Sequence, residues 1–224
     1  MKKYFVTADI HGYYSLWMEA LINNGFEIEN DEHILIILGD LLDRGDEPKE
    51  IINFILKMPE DRVILIRGTH EDLFLEMIAN GEPTMTDFYN GTFKTYTRLY
   101  NSAQIMSISE FKETDFYKII KRMKNYYELG KYIFVHGWIP TLTKDIYIPE
   151  WRNLSSYYFN NARWANGMEQ NLLGVNEPNK TIVCGHWHTA WGNLKKKYPH
   201  KEYENIEGFD MWKELELFQI YTND

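Results

Sequence analysis

Five consecutive apolar residues, Ile34 to Leu38, end at Gly39 and are followed at once by charged side chains. The run is too short to span a membrane and has the length of a buried β-strand. Asp40, Asp43 and Arg44 come directly after it. In open α/β sheets, ligands bind beyond the carboxyl ends of the strands. This stretch therefore predicts a central strand with a binding site at its tip.

Four further strand-like runs follow the same plan, at residues 4–8, 63–66, 132–135 and 181–184. Helical spacing of apolar residues between the first three runs predicts two helices, with Ser15 as the N-cap of the first and Pro48 at the start of the second. The resulting β-α-β-α-β order predicts parallel strands with right-handed crossovers. The expected fold class is therefore α/β.

The remaining segments carry weaker patterns. Residues 82–130 are predicted to form a helical insertion over one end of the sheet, with helices at about 85–103 and 113–128. Residues 138–179 read as a long irregular and functional loop. A solvated lysine run is expected at 195–197 and a closing strand at 215–221. The whole chain, 1–224, is expected to be a single domain.

Composition limits the function. The chain carries 24 Lys and Arg against 33 Asp and Glu, a net charge of −9. This argues against a nucleic-acid duplex as partner, because phosphate backbones need a basic surface. A single cysteine, Cys184, cannot form an internal disulfide, and no apolar window is long enough for a membrane helix. A cytoplasmic protein without membrane partners is expected.

Histidines and aspartates cluster at the ends of the predicted strands. Seven histidines are present, and all but His33 and His200 follow such a run directly. The side chains at the five strand ends are Asp9 and His11, Asp40 and Asp43, His70, His136, and His186 with His188. A single Asp or His after a strand is more often a turn or capping residue. The sorting of the whole set favours a metal site.

The donor types restrict the metal. A mixture of imidazoles and carboxylates suits manganese, iron, nickel or zinc. Calcium prefers oxygen ligands, and a structural zinc site would use thiolates, which this set lacks. The number of donors exceeds what one ion needs, so two ions sharing a bridging carboxylate are expected, with manganese the first choice. Asp40 is the predicted bridge, since it follows the most apolar strand.

These motifs together are similar to those of a known family. Asp9-Ile10-His11-Gly12, Gly39-Asp40-Leu41-Leu42-Asp43-Arg44-Gly45, Arg67-Gly68-Thr69-His70-Glu71, His136-Gly137 and Gly185-His186-Trp187-His188 resemble the motifs of the calcineurin-like metallophosphoesterases. The first three look most like the branch of serine/threonine protein phosphatases and diadenosine tetraphosphatases. The order of motifs agrees from residue 9 to residue 188. The resemblance implies two facing β-sheets flanked by helices.

The resemblance also implies metal ligands. Asp9, His11 and Asp40 would hold the first ion, with His188 as an additional ligand in the wider superfamily. Asp40, His136 and His186 would hold the second. The Asn that usually completes the second site is replaced by Thr69. A hydroxyl is a shorter and poorer ligand than an amide oxygen, so a weaker or water-completed second site is expected.

Catalytic roles follow from the same resemblance. His70 would be the general acid, oriented by Asp43, because a carboxylate partner fixes the tautomer of an imidazole and favours its protonated form. Arg44 would bind the phosphate oxygens, which suit a guanidinium fork. A second phosphate-binding arginine is expected between His136 and His186. Arg152 and Arg163 are the candidates, and we choose Arg163.

The function expected is therefore hydrolysis of a phosphate ester by a serine/threonine protein phosphatase-like enzyme with two metal ions. The substrate would be a phosphoprotein or a nucleotide. An alternative substrate is diadenosine tetraphosphate, because the aromatic-rich stretch 151–164 could line a cleft for adenine. An alternative of another class is a phospho-ligand binding module whose catalysis is impaired by Thr69.

Overall fold

The computed structural model of the chain describes residues 2–143 and 146–188. The lysine run at 195–197 and the closing strand at 215–221 lie outside the described residues. Two three-stranded β-sheets face each other across an apolar layer, and helices cover their outer faces. The predicted α/β fold with two facing sheets is thus confirmed. No helix within the described ranges is long and apolar enough to cross a bilayer.

The first sheet is entirely parallel. Its strands are β1 (Lys3–Thr7), β2 (His33–Ile37) and β3 (Val63–Leu65), in the spatial order β1-β2-β3. Helices α1 (Tyr14–Asn23) and α2 (Pro48–Lys57) connect them. Successive parallel strands need such crossovers, because the end of one lies at the opposite edge from the start of the next. The β-α-β-α-β prediction is confirmed.

Strand β2 is buried on both faces, which explains its uninterrupted apolar sequence. Leu35 and Ile37 pack with the helices, whereas Ile36 and Leu38 pack against the second sheet. None of these four side chains is more than 1% exposed. The alternation of side chains along a strand thus places the loop after β2 at the junction between the two sheets.

The second sheet is mixed. Its strands are β4 (Tyr127–Leu129), β5 (Tyr132–Phe134) and β6 (Thr181–Val183), in the order β4-β5-β6. Strand β4 runs antiparallel to β5, and β6 runs parallel to it. The carboxyl ends of β5 and β6 therefore lie at the same edge, so the histidines that follow them are neighbours.

The chain between β3 and β4 is helical, but in shorter pieces than expected. It contains α3 (Thr69–Asn80), α4 (Met85–Asn90), α5 (Thr92–Tyr100), α6 (Ile108–Phe111) and α7 (Asp115–Arg122). The helix predicted over 85–103 is divided at Gly91, whose φ of +84° is left-handed. Tyr96, Phe116 and Ile119 join the core that contains α2. These helices extend the helical layer of the first sheet, and the turn between α4 and α5 also lies against the loop after β2, at one end of that sheet.

The second predicted helix of this segment, 113–128, ends early, at Arg122. Lys124 instead pairs with the edge of the first sheet: its amide donates to the carbonyl of Leu65 at 2.8 Å, and its carbonyl accepts from the amide of Arg67 at 2.9 Å. Residues 127–129 then form β4. The helix prediction is wrong there, because aromatic residues suit either structure and the available partner strand decides.

The segment 138–179 is more regular than predicted. It contains a 3₁₀ turn (Trp151–Asn153), α8 (Ser156–Arg163) and α9 (Gly167–Leu172). Asn166 caps α9, since its side chain accepts hydrogen bonds from the amides of Met168 and Glu169. Trp151 and Phe159 are buried against the second sheet. These two aromatic residues make core contacts, and the irregular-loop prediction is wrong for the helical turns.

Ser15 is not the N-cap of α1, which begins at Tyr14 after Tyr13. The amide of Ser15 instead donates to the carboxylate of Glu47 at 2.9 Å, and its hydroxyl donates to the same carboxylate. Glu47 immediately precedes α2. Ser15 therefore joins the first helix to the loop that follows β2, a contact that local sequence does not specify.

Candidate metal centre

The side chains selected from the sequence lie in loops that follow strands of both sheets. Asp9 and His11 follow β1, Asp40, Asp43 and Arg44 follow β2, Thr69 and His70 open α3 after β3, His136 follows β5, and His186 and His188 follow β6. Hydrogen bonds cross between the sheets here: Nδ1 of His136 lies 2.6 Å from the carbonyl oxygen of Leu38. The loops therefore meet in one place.

Asp40 lies at the centre of this cluster and is 2% exposed. Its Oδ1 accepts a hydrogen bond from the amide of His70 at 2.8 Å. Its Oδ2 lies 3.4 Å from Nε2 of His136 and 3.8 Å from Nε2 of His11. Burial would raise the pKa of Asp40, but the imidazoles, chiefly His136, outweigh it and hold that pKa below its usual range.

Two of the imidazoles are oriented by backbone carbonyls. Nδ1 of His11 lies 3.2 Å from the carbonyl oxygen of Leu42, and Nδ1 of His136 is held by Leu38 in the same way. Each ring therefore turns Nε2 toward Asp40, the arrangement by which outer hydrogen bonds fix metal-binding imidazoles. Nε2 of His136 is buried and has no hydrogen-bond partner within the described ranges.

The same imidazoles have different proton affinities. Burial lowers the pKa of His11 to about 3 and that of His186 to about 4. Burial would also lower the pKa of His136, but the carboxylate of Asp40 outweighs it and raises the value to about 9. The environment therefore keeps His11 and His186 neutral, which is the form that binds a metal ion.

Two groups of side chains have the composition and spacing to hold metal ions. One contains His11, Asp40 and His70, the other Asp40, His136 and His186, and in each group one ligand atom per residue lies within 4.8 Å of the others. Asp40 belongs to both, as a bridging carboxylate must. The orphaned Nε2 of His136 and the mixed nitrogen and oxygen donors fit a pair of divalent ions.

Asp9 connects the site to the second sheet. Its carboxylate oxygens accept from the amide of His186 at 3.0 and 2.9 Å. Burial raises the pKa of Asp9 to about 6, and the charge of Asp40 acts in the same direction. Two acidic groups in one buried space repel each other, and a bound cation relieves that repulsion.

His70, Asp43 and Arg44 form a second unit beside Asp40. Nδ1 of His70 lies 2.7 Å from Oδ2 of Asp43, and Nε2 of His70 lies 3.3 Å from Nη2 of Arg44. Burial would lower the pKa of His70, but the hydrogen bond to Asp43 and the charge of Asp40 raise it. The pair has the geometry of an imidazole oriented by a carboxylate, with the guanidinium directly beside it.

Thr69 is 1% exposed and points at the central carboxylate. Its hydroxyl lies 3.4 Å from Oδ1 and 3.3 Å from Oδ2 of Asp40, both long hydrogen-bond distances. The hydroxyl thus serves as a donor to Asp40, the reverse of what a metal ligand does. The expectation of a weaker second metal site stays a prediction.

Arg163, the arginine chosen as a second phosphate contact, lies in a network of internal hydrogen bonds. It is 5% exposed, and its nitrogens pair with Asp72 at 2.7 Å, Asn125 at 3.0 Å and Asn160 at 2.5 Å. These contacts use three of the five N–H donors of the guanidinium, and the assignment of Arg163 to phosphate binding stays a prediction. The other candidate, Arg152, is likewise held, by Glu128 and Glu177.

His188 belongs to neither of the two groups described above. It lies close enough to Arg44 for the guanidinium charge to add to burial in lowering its pKa. This places His188 on the same side of the site as Arg44. Its assignment as a metal ligand stays a prediction.

The backbone of the site is strained. Asp9, His11, Asp40, Asp43, Arg44 and His186 have φ values between +50° and +72°. They are six of the eight non-glycine residues with positive φ in the described part of the chain. Such conformations cost free energy and persist where surrounding contacts enforce them, commonly at functional sites.

Glu71 is the site residue to which sequence reasoning gave no role. It is 1% exposed, and its carboxylate accepts from the amides of Gly68 at 2.8 Å, Leu41 at 2.9 Å and Asp40 at 3.1 Å. Burial raises the pKa of Glu71 to about 7, although the amides of Leu41 and Gly68 act against it. A glutamate at the third position of a helix is a capping-box signal that could have indicated it.

Comparison with known protein sequences identifies a family for this chain. A family model described as calcineurin-like phosphoesterase matches residues 2–217. No curated protein sequence matches the chain significantly. Similarity at the level of sequence therefore comes from the family pattern, and the remaining comparison is with solved structures.

Three solved structures illustrate the likeness. A protein serine/threonine phosphatase from Saccharomyces cerevisiae has 18% identity and a TM-score of 0.51, covering 74% of this chain and 49% of its own. A candidate diadenosine tetraphosphatase has 14% identity and a TM-score of 0.51, covering 82% and 74%. A metallophosphoesterase from Sphaerobacter thermophilus has 14% identity and a TM-score of 0.39, covering 60% and 46%. The chain spans about half the length of the yeast and Sphaerobacter proteins, and the first two likenesses show a shared fold.

The three hydrogen bonds to Glu71 can be tested by stability. Glu71→Gln replaces one acceptor oxygen by a donor, so a buried backbone N–H loses its partner, and the free energy of unfolding should fall by about 1–3 kcal/mol. Urea unfolding followed by tryptophan fluorescence measures the change. Glu76→Gln, at an exposed position of the same helix, is the matched control and should stay within about 0.5 kcal/mol of wild type. Equal stability of the two variants would contradict this role.

Proposed function

The chain belongs to the calcineurin-like phosphoesterase family, and we propose that it hydrolyses phosphate esters, with a phosphoprotein as the first choice of substrate. The observation that carries this proposal is one shared carboxylate, Asp40, between two groups of metal-binding side chains. A hydrogen-bonded His70–Asp43 pair and Arg44 lie directly beside it. Metal-binding, proton-donating and anion-binding groups are the three components that phosphate hydrolysis requires.

The residues that would hold two divalent ions are those of the two groups and their neighbour Asp9. We assign Asp9, His11 and Asp40 to one ion, and Asp40, His136 and His186 to the other, with His188 as a further candidate. Manganese is our first choice, and iron, zinc or nickel would suit the same donors. When bound, such ions polarise phosphate oxygens and make water a better nucleophile near neutral pH.

His70 is the proposed general acid. Asp43 holds Nδ1, so the ring presents Nε2 to the space that it shares with Arg44. The raised pKa of His70 favours the protonated imidazole. Because a guanidinium only donates, Nε2 accepts from Arg44 in this structure. When Arg44 binds a phosphate instead, Nε2 can carry the proton that would pass to the leaving oxygen of the ester as its bond to phosphorus breaks.

Arg44 is the proposed phosphate-binding group. Its guanidinium is fixed close to the imidazole that must reach the leaving oxygen, and a planar fork of N–H donors matches the oxygens of a phosphate. Arg163 is our candidate for a second phosphate-binding group, although its Nε is paired with Asp72. Arg67 is also paired with Asp72, at 2.5 Å, but its side chain is 29% exposed.

A second substrate class is favoured by two exposed tryptophans. Trp164 is 51% exposed and Trp187 43% exposed, and their rings lie 5.9 and 6.1 Å from the ring of His186. Exposed indoles at the edge of a phosphate site could stack on a nucleobase. Diadenosine tetraphosphate, the substrate implied by the name of one structural neighbour, is therefore the alternative.

The general-acid role of His70 makes a sharp prediction. Because His70 is assigned to the proton and not to the metal, His70→Asn should lower turnover of a phosphoserine peptide by about 10²–10⁴-fold and leave the metal content unchanged. Elemental analysis of the manganese-loaded protein measures the metal. Asp40→Asn is the control that should lose metal. Loss of metal from His70→Asn would instead make His70 a ligand, as its place beside His11 and Asp40 allows.

Replacing Thr69 tests whether the chain is an enzyme or a binding module. Thr69→Asn supplies an amide oxygen beside Asp40 and should raise metal affinity on the order of tenfold, the scale on which groups around a metal site usually act. Wild-type protein loaded with manganese should already hydrolyse p-nitrophenyl phosphate. If it does not, and Thr69→Asn restores turnover, the phospho-ligand binding alternative is correct for this chain.

The two substrate classes are separated by a tryptophan variant. Wild-type protein is assayed on a phosphoserine peptide and on diadenosine tetraphosphate. If a nucleobase stacks on Trp164, then Trp164→Ala should raise KM for the dinucleotide by about tenfold and leave the peptide unaffected. Tyr157→Ala is the control, because Tyr157 is an exposed aromatic residue of α8, the helix that ends just before Trp164. Equal effects of Trp164→Ala on both substrates would exclude the stacking site.

A further inference from the structure

The loop after β2, at Asp43 and Arg44, is contacted by residues of the helical segment between β3 and β4. Both residues are left-handed, with φ values of +72° and +61°. The turn between α4 and α5 lies against them: a Cβ on Gly91 would come within 2.8 Å of the amide nitrogen of Arg44. Only a glycine allows the two backbones to approach this closely, so the helical segment is fitted to this loop.

Thr92, the first residue of α5, contacts Asp43, the carboxylate that binds His70. The hydroxyl of Thr92 donates to Oδ2 of Asp43 at 2.8 Å, and the same oxygen receives Nδ1 of His70 at 2.7 Å. Thr92 is 0% exposed. The other oxygen, Oδ1 of Asp43, is buried without a partner within residues 2–143 and 146–188. Two donors on one oxygen therefore fix the orientation of this carboxylate.

Further contacts keep α5 in place on the same loop. Nζ of Lys94 donates to the carbonyl of Arg44 at 2.7 Å. Lys94 and Arg98 also form ion pairs with Asp46 at 2.7 and 2.8 Å. These pairs are exposed and individually weak. Together with the fit at Gly91 they hold the hydroxyl of Thr92 at a fixed distance from Asp43.

We propose that Thr92 is a positioning residue for the His70–Asp43 pair. This proposal rests on the proposed function, in which His70 donates a proton to the leaving group. With its hydroxyl in place, the carboxylate of Asp43 cannot turn, and the imidazole keeps Nε2 directed at the position of the leaving oxygen. The helices that follow β3 in the chain and precede β4 then support catalysis as well as the core.

Loss of the Thr92 hydroxyl should affect the rate of turnover and not the binding of metal or substrate. Within residues 2–143 and 146–188, Thr92 makes no hydrogen bond to an assigned metal ligand, and its hydroxyl donates to Asp43. Removing that hydroxyl should therefore misalign the proton donor and leave metal and substrate binding intact. A small misplacement of a reacting group is enough to lower the rate of a chemical step.

Three variants test this separation with the manganese-loaded full chain and a phosphoserine peptide, whose serine oxygen leaves only with a proton. Thr92→Val should lower kcat about tenfold with KM and metal content near wild type. Thr92→Ser keeps the hydroxyl and should stay within about twofold. Thr95→Val is the matched control, since Thr95 is also 0% exposed on α5 but its hydroxyl has no partner in the described part of the chain. If Thr92→Val does not fold, Thr92→Ala replaces it.

A double-mutant cycle distinguishes positioning from a general effect on folding. In the background of Asp43→Asn, the charged partner is gone, so Thr92→Val should lower turnover no further. Independent effects would multiply, and a full additional tenfold loss in that background would overturn the proposal.

An independent readout does not require turnover. The hydrogen-bonded Nδ1 proton of His70 should give a downfield proton NMR resonance, assigned by its absence in His70→Asn. It should persist in Thr92→Ser and Thr95→Val and shift or exchange away in Thr92→Val. If wild type hydrolyses no phosphate ester, the proposed function fails and this resonance alone decides the role of Thr92. Wild-type behaviour of Thr92→Val in the NMR spectrum, or in turnover where wild type is active, would overturn it.

Discussion

The whole site depends on keeping one buried carboxylate charged. Asp40 is 2% exposed at the tip of a strand that is apolar on both faces, where an isolated carboxylate would cost several kcal/mol. Two groups offset the cost of burying this charge. The amide of His70 comes from the helix after β3 of the first sheet, and the imidazole of His136 comes from the loop after β5 of the second sheet. The negative charge of Asp40 attracts the neighbouring imidazoles, and the same negative charge favours the binding of divalent cations.

The strained loops around Asp40 are stabilised as one unit. The amide of His11 donates to the carbonyl of Asp40 at 3.0 Å, and the amide of Gly45 donates to the carbonyl of His11 at 2.7 Å. Glu71 binds the start of the β2 loop to Gly68 after β3. Each left-handed residue costs on the order of 1–3 kcal/mol, so these loops keep their shape only because several such bonds act on each. Because these loops already have a fixed conformation, binding a ligand does not require them to become ordered first.

The sequence was informative where structure depends on local pattern. The parallel strands, their connecting helices and the convergence of Asp and His residues follow from apolar runs and from what ends them, and strand bounds differ by one residue or so, as with β2. Prediction from sequence failed where a partner that is distant in the sequence determines the local structure or the role of a residue. Residues 127–129 form a strand because β5 is beside them, and Glu71 matters because three amides from two loops point at it. Neither partner is visible in the local sequence.

Arg163 shows how a distant partner gives a structural contact to a residue that the sequence selected for another reason. The position that sequence reasoning gave to phosphate binding is bound to Asp72, two residues after His70, while its own carbonyl lies against Gly137, next to His136. The ion pair therefore joins α3, which follows the first sheet, to α8, which lies against the loop after β5 of the second sheet. Apolar packing could hold the layers together, but it is not directional, whereas a buried guanidinium and carboxylate bind in one geometry. The cost of burying these charges is understandable if the distance between the two halves of the site must be exact to within a fraction of an ångström.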